Sequence, residues 1–143
     1  MHQYKKILLA VDLSDDSQVV GERAKAIAAC YDSQITLLHV VEYVPVEPMG
    51  EALLPNVQIE GELVNRARLR LRELAEKLSL SDSAQLVETG GIKTEIVRCA
   101  QRLDADLIVL GARERHGLAI LLNFTEDSVL HAAPCDVLAV RLP

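Results

Sequence analysis

The run Ile7-Leu8-Leu9-Ala10-Val11 is apolar without interruption and stops at Asp12, and a second unbroken run, Leu107-Ile108-Val109-Leu110, stops at Gly111. A strand with one wet face alternates apolar and polar residues, because successive side chains point to opposite faces. A continuous run therefore requires cover on both faces, which is the environment of a central strand in a parallel sheet flanked by helices. The residue supply agrees: half of the 143 residues are hydrophobic, but there are three Tyr, one Phe and no Trp. The core must be built from Val, Leu, Ile and Ala, and at this length one such core is expected.

Helical patterns alternate with the strands. After the polar turn Leu13-Ser14-Asp15-Asp16-Ser17, the apolar positions Val20, Ala24, Ile27, Ala28 and Tyr31 predict a helix over 17–31. Gln34 to Val41 is a second strand. Tyr43 to Asn56 contains Pro45, Pro48, Gly50 and Pro55 and reads as a loop near the end of that strand. Ile59 to Leu78 carries Leu63, Ala67, Leu71, Leu74 and Leu78 on one stripe of an amphipathic helix. Gln85 to Glu88 is a short third strand leading into Thr89-Gly90-Gly91. Ile92 to Leu103 is the next helix, with Ile96, Val97, Ala100 and Leu103 inward. Asp106 to Leu110 is the fourth strand, closed by Gly111; Thr125 to Ala132 is the last helix, and Val137 to Val140 the fifth strand. With no repeat and no second core, residues 1–143 read as one doubly wound α/β domain with a five-stranded parallel sheet.

A formal charge of -6 disfavours nucleic acid and anionic membrane, which both call for a basic face. Cys30, Cys99 and Cys135 are odd in number and lack C-x-x-C spacing, so they read as small buried hydrophobes in a reducing compartment. The residues before Asp12 are too short an apolar stretch for a signal peptide, which points to the cytoplasm. The four His and three Cys show no local metal spacing. No G-x-S-x-G elbow is present. The acidic pairs Asp15-Asp16 and Glu126-Asp127 fall at helix starts, where capping accounts for them. Arg66, Arg68, Arg70 and Arg72 scatter around their helix and read as a solvated face. His39 reads as a hydrogen-bonded structural histidine, and His116 as part of a polar loop.

In open parallel sheets, ligands bind beyond the carboxyl ends of the strands where the chain order reverses. With the order 3-2-1-4-5 that crevice lies between strands one and four, next to Asp12-Leu13-Ser14 and Gly111, bordered by His39-Val40-Val41 of strand two. The segments Ile7-Leu8-Leu9-Ala10-Val11-Asp12-Leu13-Ser14, Leu37-Leu38-His39-Val40, Ala105-Asp106-Leu107-Ile108-Val109-Leu110-Gly111 and Ala133-Pro134-Cys135-Asp136-Val137-Leu138-Ala139-Val140-Arg141 resemble the universal stress protein family. Together these matches span nearly the whole chain. The resemblance implies the 3-2-1-4-5 order, a homodimer paired through the last strand and a cytoplasmic role in stress survival.

Nucleotide-binding members of that family carry Gly-x-x-Gly, nine residues, then Gly-Ser or Gly-Thr after strand four. The glycines let backbone N–H groups approach phosphate, and the hydroxyl residue opens a helix whose N-terminus favours anions. Here Gly111 matches the first glycine and Thr125 the hydroxyl, but Glu114 and Phe124 replace the other two glycines. Gly117 lies in the spacer. Glu114 repels a polyphosphate, Glu126 and Asp127 add negative charge, and Arg113 and Arg115 can offset it by pairing with phosphate. In this the chain resembles the universal stress protein A type, whose members lack the full glycine motif. Asp12 serves either as a nucleoside contact or as a turn and capping residue, and both readings stand. The expectation is a homodimeric binding or signalling module that is not an enzyme and needs no cofactor, with protein partners. The competing expectation is an ATP- or AMP-binding switch or slow ATPase using Asp12, Val40, Gly111, Gly117 and Thr125.

Overall fold

Ile7, Leu8, Leu9, Leu37, Leu38, Ile108 and Val109 are all 2 % exposed or less, so both central strand runs are covered above and below. The computed structural model describes residues 3–42, 53–113 and 125–143, and of 53–58 and 125–127 the backbone only. The elements are β1 (Lys6–Ala10), α1 (Ser17–Tyr31), β2 (Gln34–Val41), α2 (Leu53–Lys77), β3 (Ala84–Thr89), α3 (Ile92–Leu103), β4 (Leu107–Arg113), α4 (Thr125–Ala132) and β5 (Asp136–Leu142). The five strands are parallel and ordered β3-β2-β1-β4-β5. The order implied by the resemblance is therefore the observed one.

Alternate residues of the central strands feed two cores. Ile7, Leu9, Leu37 and Val109 pack with Val20 and Ala24 of α1 and with Ala67, Leu71 and Leu74 of α2. Leu8, Ala10, Leu38, Ile108 and Leu110 pack with Ile96, Cys99 and Ala100 of α3 and with Val129 of α4. Each fully buried Leu, Ile or Val side chain contributes about 1.5–3 kcal/mol relative to exposure. Both α1 and α3 end on an Asp in the left-handed conformation, Asp32 at φ 54° and Asp104 at φ 55°, a geometry that Asp tolerates better than bulkier residues. At the amino ends of the strands, Asp106 Oδ2 accepts hydrogen bonds from the Lys5 and Lys6 backbone N–H groups, each at 2.9 Å. Those bonds tie the start of β1 to the start of β4.

Three expectations are corrected. The segment read as a loop to Asn56 is helical from Leu53, so α2 begins earlier than Ile59. Pro55 falls in the first turn, where backbone N–H groups lack helical partners and a missing donor costs nothing. The strand expected to close at Gly111 runs on to Arg113, because Gly111, Ala112 and Arg113 pair with Val140, Arg141 and Leu142 of β5. Of the cysteines, Cys99 is buried, Cys135 half-buried and Cys30 exposed. Cys30 lies off the Val20, Ala24, Ile27, Ala28 and Tyr31 stripe of α1. Burial pushes the Cys99 thiol up from its ordinary pKa, keeping it neutral.

Candidate functional site

A cavity of about 540 Å³ opens beyond the carboxyl ends of β1, β2 and β4. Its floor is Ala10 and Val11 after β1 and Leu38 and Val40 from β2; Ile92 and Ile96 of α3 form one wall; Gly111 and Arg113 end β4 on the other. Val20, Leu63 and Leu142 complete the apolar surround, with Asp12, Ser17, His39 and Glu42 as further polar groups. This is the switch point of the strand order, in the size range of small-molecule pockets. Sequence reasoning placed Asp12, Val40 and Gly111 here, and all three line it. Gly117 lies outside the described residues. Thr125 opens α4, but its side chain lies outside them as well.

The β1–α1 turn is built around the Asp12 carboxylate. Asp12 Oδ1 accepts hydrogen bonds from Ser14 N–H at 2.9 Å and from the buried Ser17 hydroxyl at 3.1 Å. These bonds wind the chain into α1 through Leu13, which adopts φ 62°. An unbranched-at-Cβ side chain still pays a steric penalty in that region, and the turn is tied down from outside: the Arg70 guanidinium of α2 donates to the Leu13 carbonyl. Asp16 stands at the N-cap of α1 but makes no capping bond with its side chain. Its carboxylate pairs with Arg113 at the end of β4, so capping is not what occupies it. Nothing local signals either contact, since Arg70 reads as one of a scattered series and Arg113 lies far from Asp16 in the chain.

His39 Nδ1 lies 2.8 Å from the Val11 carbonyl. A carbonyl only accepts, so Nδ1 is the donor in this bond. The structural role read from the sequence is the observed one. Gly111 has a packing reason as well as a site reason. A Cβ there would meet Leu142 Cδ1 at 2.8 Å and Val20 Cγ2 at 3.2 Å. Its positive φ values are not at issue, for among the described glycines only Gly90 has one. The space a side chain at 111 would need is thus taken up by two core side chains.

Burial alone pushes the Asp12 carboxyl up, but hydrogen bonding from Ser14 and Ser17 and the Arg113 charge outweigh it and hold the pKa below the ordinary value. A depressed folded-state pKa gives stability that is present above the unfolded value near about 4 and lost as pH falls through the folded value. Wild type should therefore lose stability more steeply below pH about 4 than Asp12→Asn does, a difference that urea unfolding at neutral and acid pH will read. Parallel curves would show that the turn does not depend on the charge.

The sequence matches the universal stress protein family over residues 3–141. The chain belongs to that family. It is 40 % identical over 143 residues to universal stress protein A homolog 2 of Coxiella burnetii, covering 99 % of this chain and 98 % of the relative. Among solved structures, the universal stress protein UspA from Lactobacillus plantarum superposes with a TM-score of 0.72 at 28 % identity, covering 99 % of this chain and 100 % of the other. A universal stress protein in complex with cAMP superposes with a TM-score of 0.66 at 20 % identity, covering 97 % and 98 %, and shares the fold. Among the described residues no helix is long and apolar enough to cross a membrane.

Proposed function

We propose that this universal stress protein is a cytoplasmic, homodimeric binding or signalling module of the stress response, with the crevice between β1 and β4 as its small-ligand site and no conventional catalytic site. The observation that carries the reading is how the crevice's reactive groups are employed. The Ser17 hydroxyl donates to Asp12, and His39 Nδ1 donates to the Val11 carbonyl. The hydroxyl and the imidazole are thus bonded to different partners and not to one another, so they do not form the Ser–His pair by which imidazole activates a hydroxyl. Among the described residues the lining then offers the fixed Asp12 carboxylate, Glu42, the Arg113 guanidinium and apolar walls, a set suited to holding a ligand or presenting a surface.

β5 supports the dimer. It pairs with β4 at one side and ends the sheet at the other, and a second copy can satisfy the open backbone groups across a twofold axis. Sedimentation velocity at micromolar concentration should give a species of twice 15.7 kDa; a monomer would overturn the assignment. The second reading, an ATP- or AMP-binding switch, is favoured by Asp12 and Arg113 both lining the crevice, and by the relative of this fold solved with cAMP. The apolar floor suits a base and Asp12 a hydroxyl or amino donor. Saturable binding of a fluorescent ATP analogue supports this second reading, and its absence removes it.

A further inference from the structure

Arg113 closes β4 and lines the crevice, and its guanidinium is paired with the Asp16 carboxylate at the start of α1. The pair is neither sealed in nor fully solvated: the side chains keep 30 % and 33 % of their exposure. An N-cap Asp ordinarily turns its carboxylate back onto the first amides of its own helix. In this chain it pairs with Arg113 at the end of β4 instead, and the cap position has no side-chain bond.

A guanidinium presents the same fork of N–H donors to a carboxylate and to a phosphate, so the two anions compete for it. Exchange is not blocked by burial. When Asp16 lets go its carboxylate, one third exposed, keeps contact with water and stays near the N-terminus of α1, which offsets part of the lost ion pair. On the same rim Asp12 is held rigid by Ser14 and Ser17, so it supplies a fixed acceptor while Arg113 supplies an exchangeable donor.

We propose that Asp16 is an internal competitor for the anionic group of the crevice ligand: Arg113 receives a phosphate on a nucleoside-sized molecule only by exchanging Asp16 for it. This rests on the reading of the crevice as a small-ligand site. Its consequence is selectivity. The wild-type crevice distinguishes poorly between a nucleoside and its monophosphate, because the phosphate's gain at Arg113 is set against the ion pair it displaces.

The test is calorimetric titration of the full chain with AMP and with adenosine. Asp16→Asn keeps an N-cap residue, so the fold is retained. It should tighten AMP about tenfold, the scale of one charge-assisted hydrogen bond, and leave adenosine unchanged. Asp15→Asn makes the same change in net charge beside the pair and should leave both ligands unchanged. Arg113→Gln should weaken AMP, and adding Asp16→Asn to it should restore nothing. Equal effects of Asp15→Asn and Asp16→Asn, or equal shifts for AMP and adenosine, overturn the proposal. If neither ligand binds any variant, the nucleoside reading of the crevice fails. The latch is then decided with inorganic phosphate, followed by the Arg113 Nε–Hε resonance: saturation at lower phosphate in Asp16→Asn upholds it, and superimposable curves overturn it.

Discussion

Ile108→Ala is expected to lower the free energy of unfolding by about 3–4 kcal/mol, within the range for removing a buried branched side chain and leaving a cavity. Ile108 is 0 % exposed, at the centre of the sheet, with Leu8 opposite it in β1 and Val137 opposite it in β5. Its side chain belongs to the core that Leu38 shares with Ile96, Cys99, Ala100 and Val129. Those neighbours come from five different elements, so they cannot all close on the void without shifting the sheet against α3 and α4. The expected loss is a large fraction of the roughly 5–15 kcal/mol that keeps a domain folded. Urea unfolding at one fixed protein concentration reads it, with the m-value unchanged. Leu69→Ala is the companion measurement: Leu69 is 52 % exposed on α2, and its change should stay within about 0.5 kcal/mol. A loss below about 1 kcal/mol for Ile108→Ala would mean that this face of the sheet is not packed as described.

Gly111→Glu should combine the second large stability loss with closure of the crevice. The first atom of any side chain at 111 already meets Leu142 Cδ1 and Val20 Cγ2, and those residues are 6 % and 3 % exposed. Neither can swing aside freely. Overpacking of this kind costs about 1–3 kcal/mol, and a carboxylate forced among apolar groups beside Asp12 adds to it. We expect about 2–4 kcal/mol in denaturant unfolding, together with loss of any saturable binding of a fluorescent ATP analogue. Gly111→Ala separates the two effects. It brings the Cβ clash without length or charge, so it should destabilise by about 1 kcal/mol while leaving the crevice open. Binding retained in Gly111→Glu would show that the ligand does not pass the end of β4.

The fold was legible wherever one physical constraint dominated a segment. The unbroken runs at Ile7 and Leu107 could only be central strands, and the 17–31, 34–41, 92–103 and 125–132 boundaries agree with the observed α1, β2, α3 and α4. Misreadings occurred at Pro55 and Gly111, residues whose usual meaning is interruption. Pro55 sits in a first helical turn, and Gly111 stays extended through pairing with β5. The site was legible in part for a related reason. Asp12, Val40 and Gly111 follow from strand ends and topology. The Asp16–Arg113 and Arg70–Leu13 contacts join positions 97 and 57 residues apart, and no local pattern encodes them. Asp16 also had a sufficient local explanation as a capping residue, which hid its long-range one.

The central place of β1 has a consequence for how the chain acquires its structure. The strand that comes first in the sequence is flanked on one side by β2, and on the other by β4, where Ile7 pairs with Leu107. During synthesis the β1–β2 pair can form early, but the opposite edge of β1 must wait about 100 residues for its neighbour. Until then Leu8 and Leu9 border an open, apolar strand edge, the kind of surface that recruits other chains. Closing a loop of that length late makes folding slow relative to a helical bundle of equal size. The Asp106 carboxylate that accepts from the Lys5 and Lys6 N–H groups arrives with β4, so a contact made by the first strand is among the last to become available.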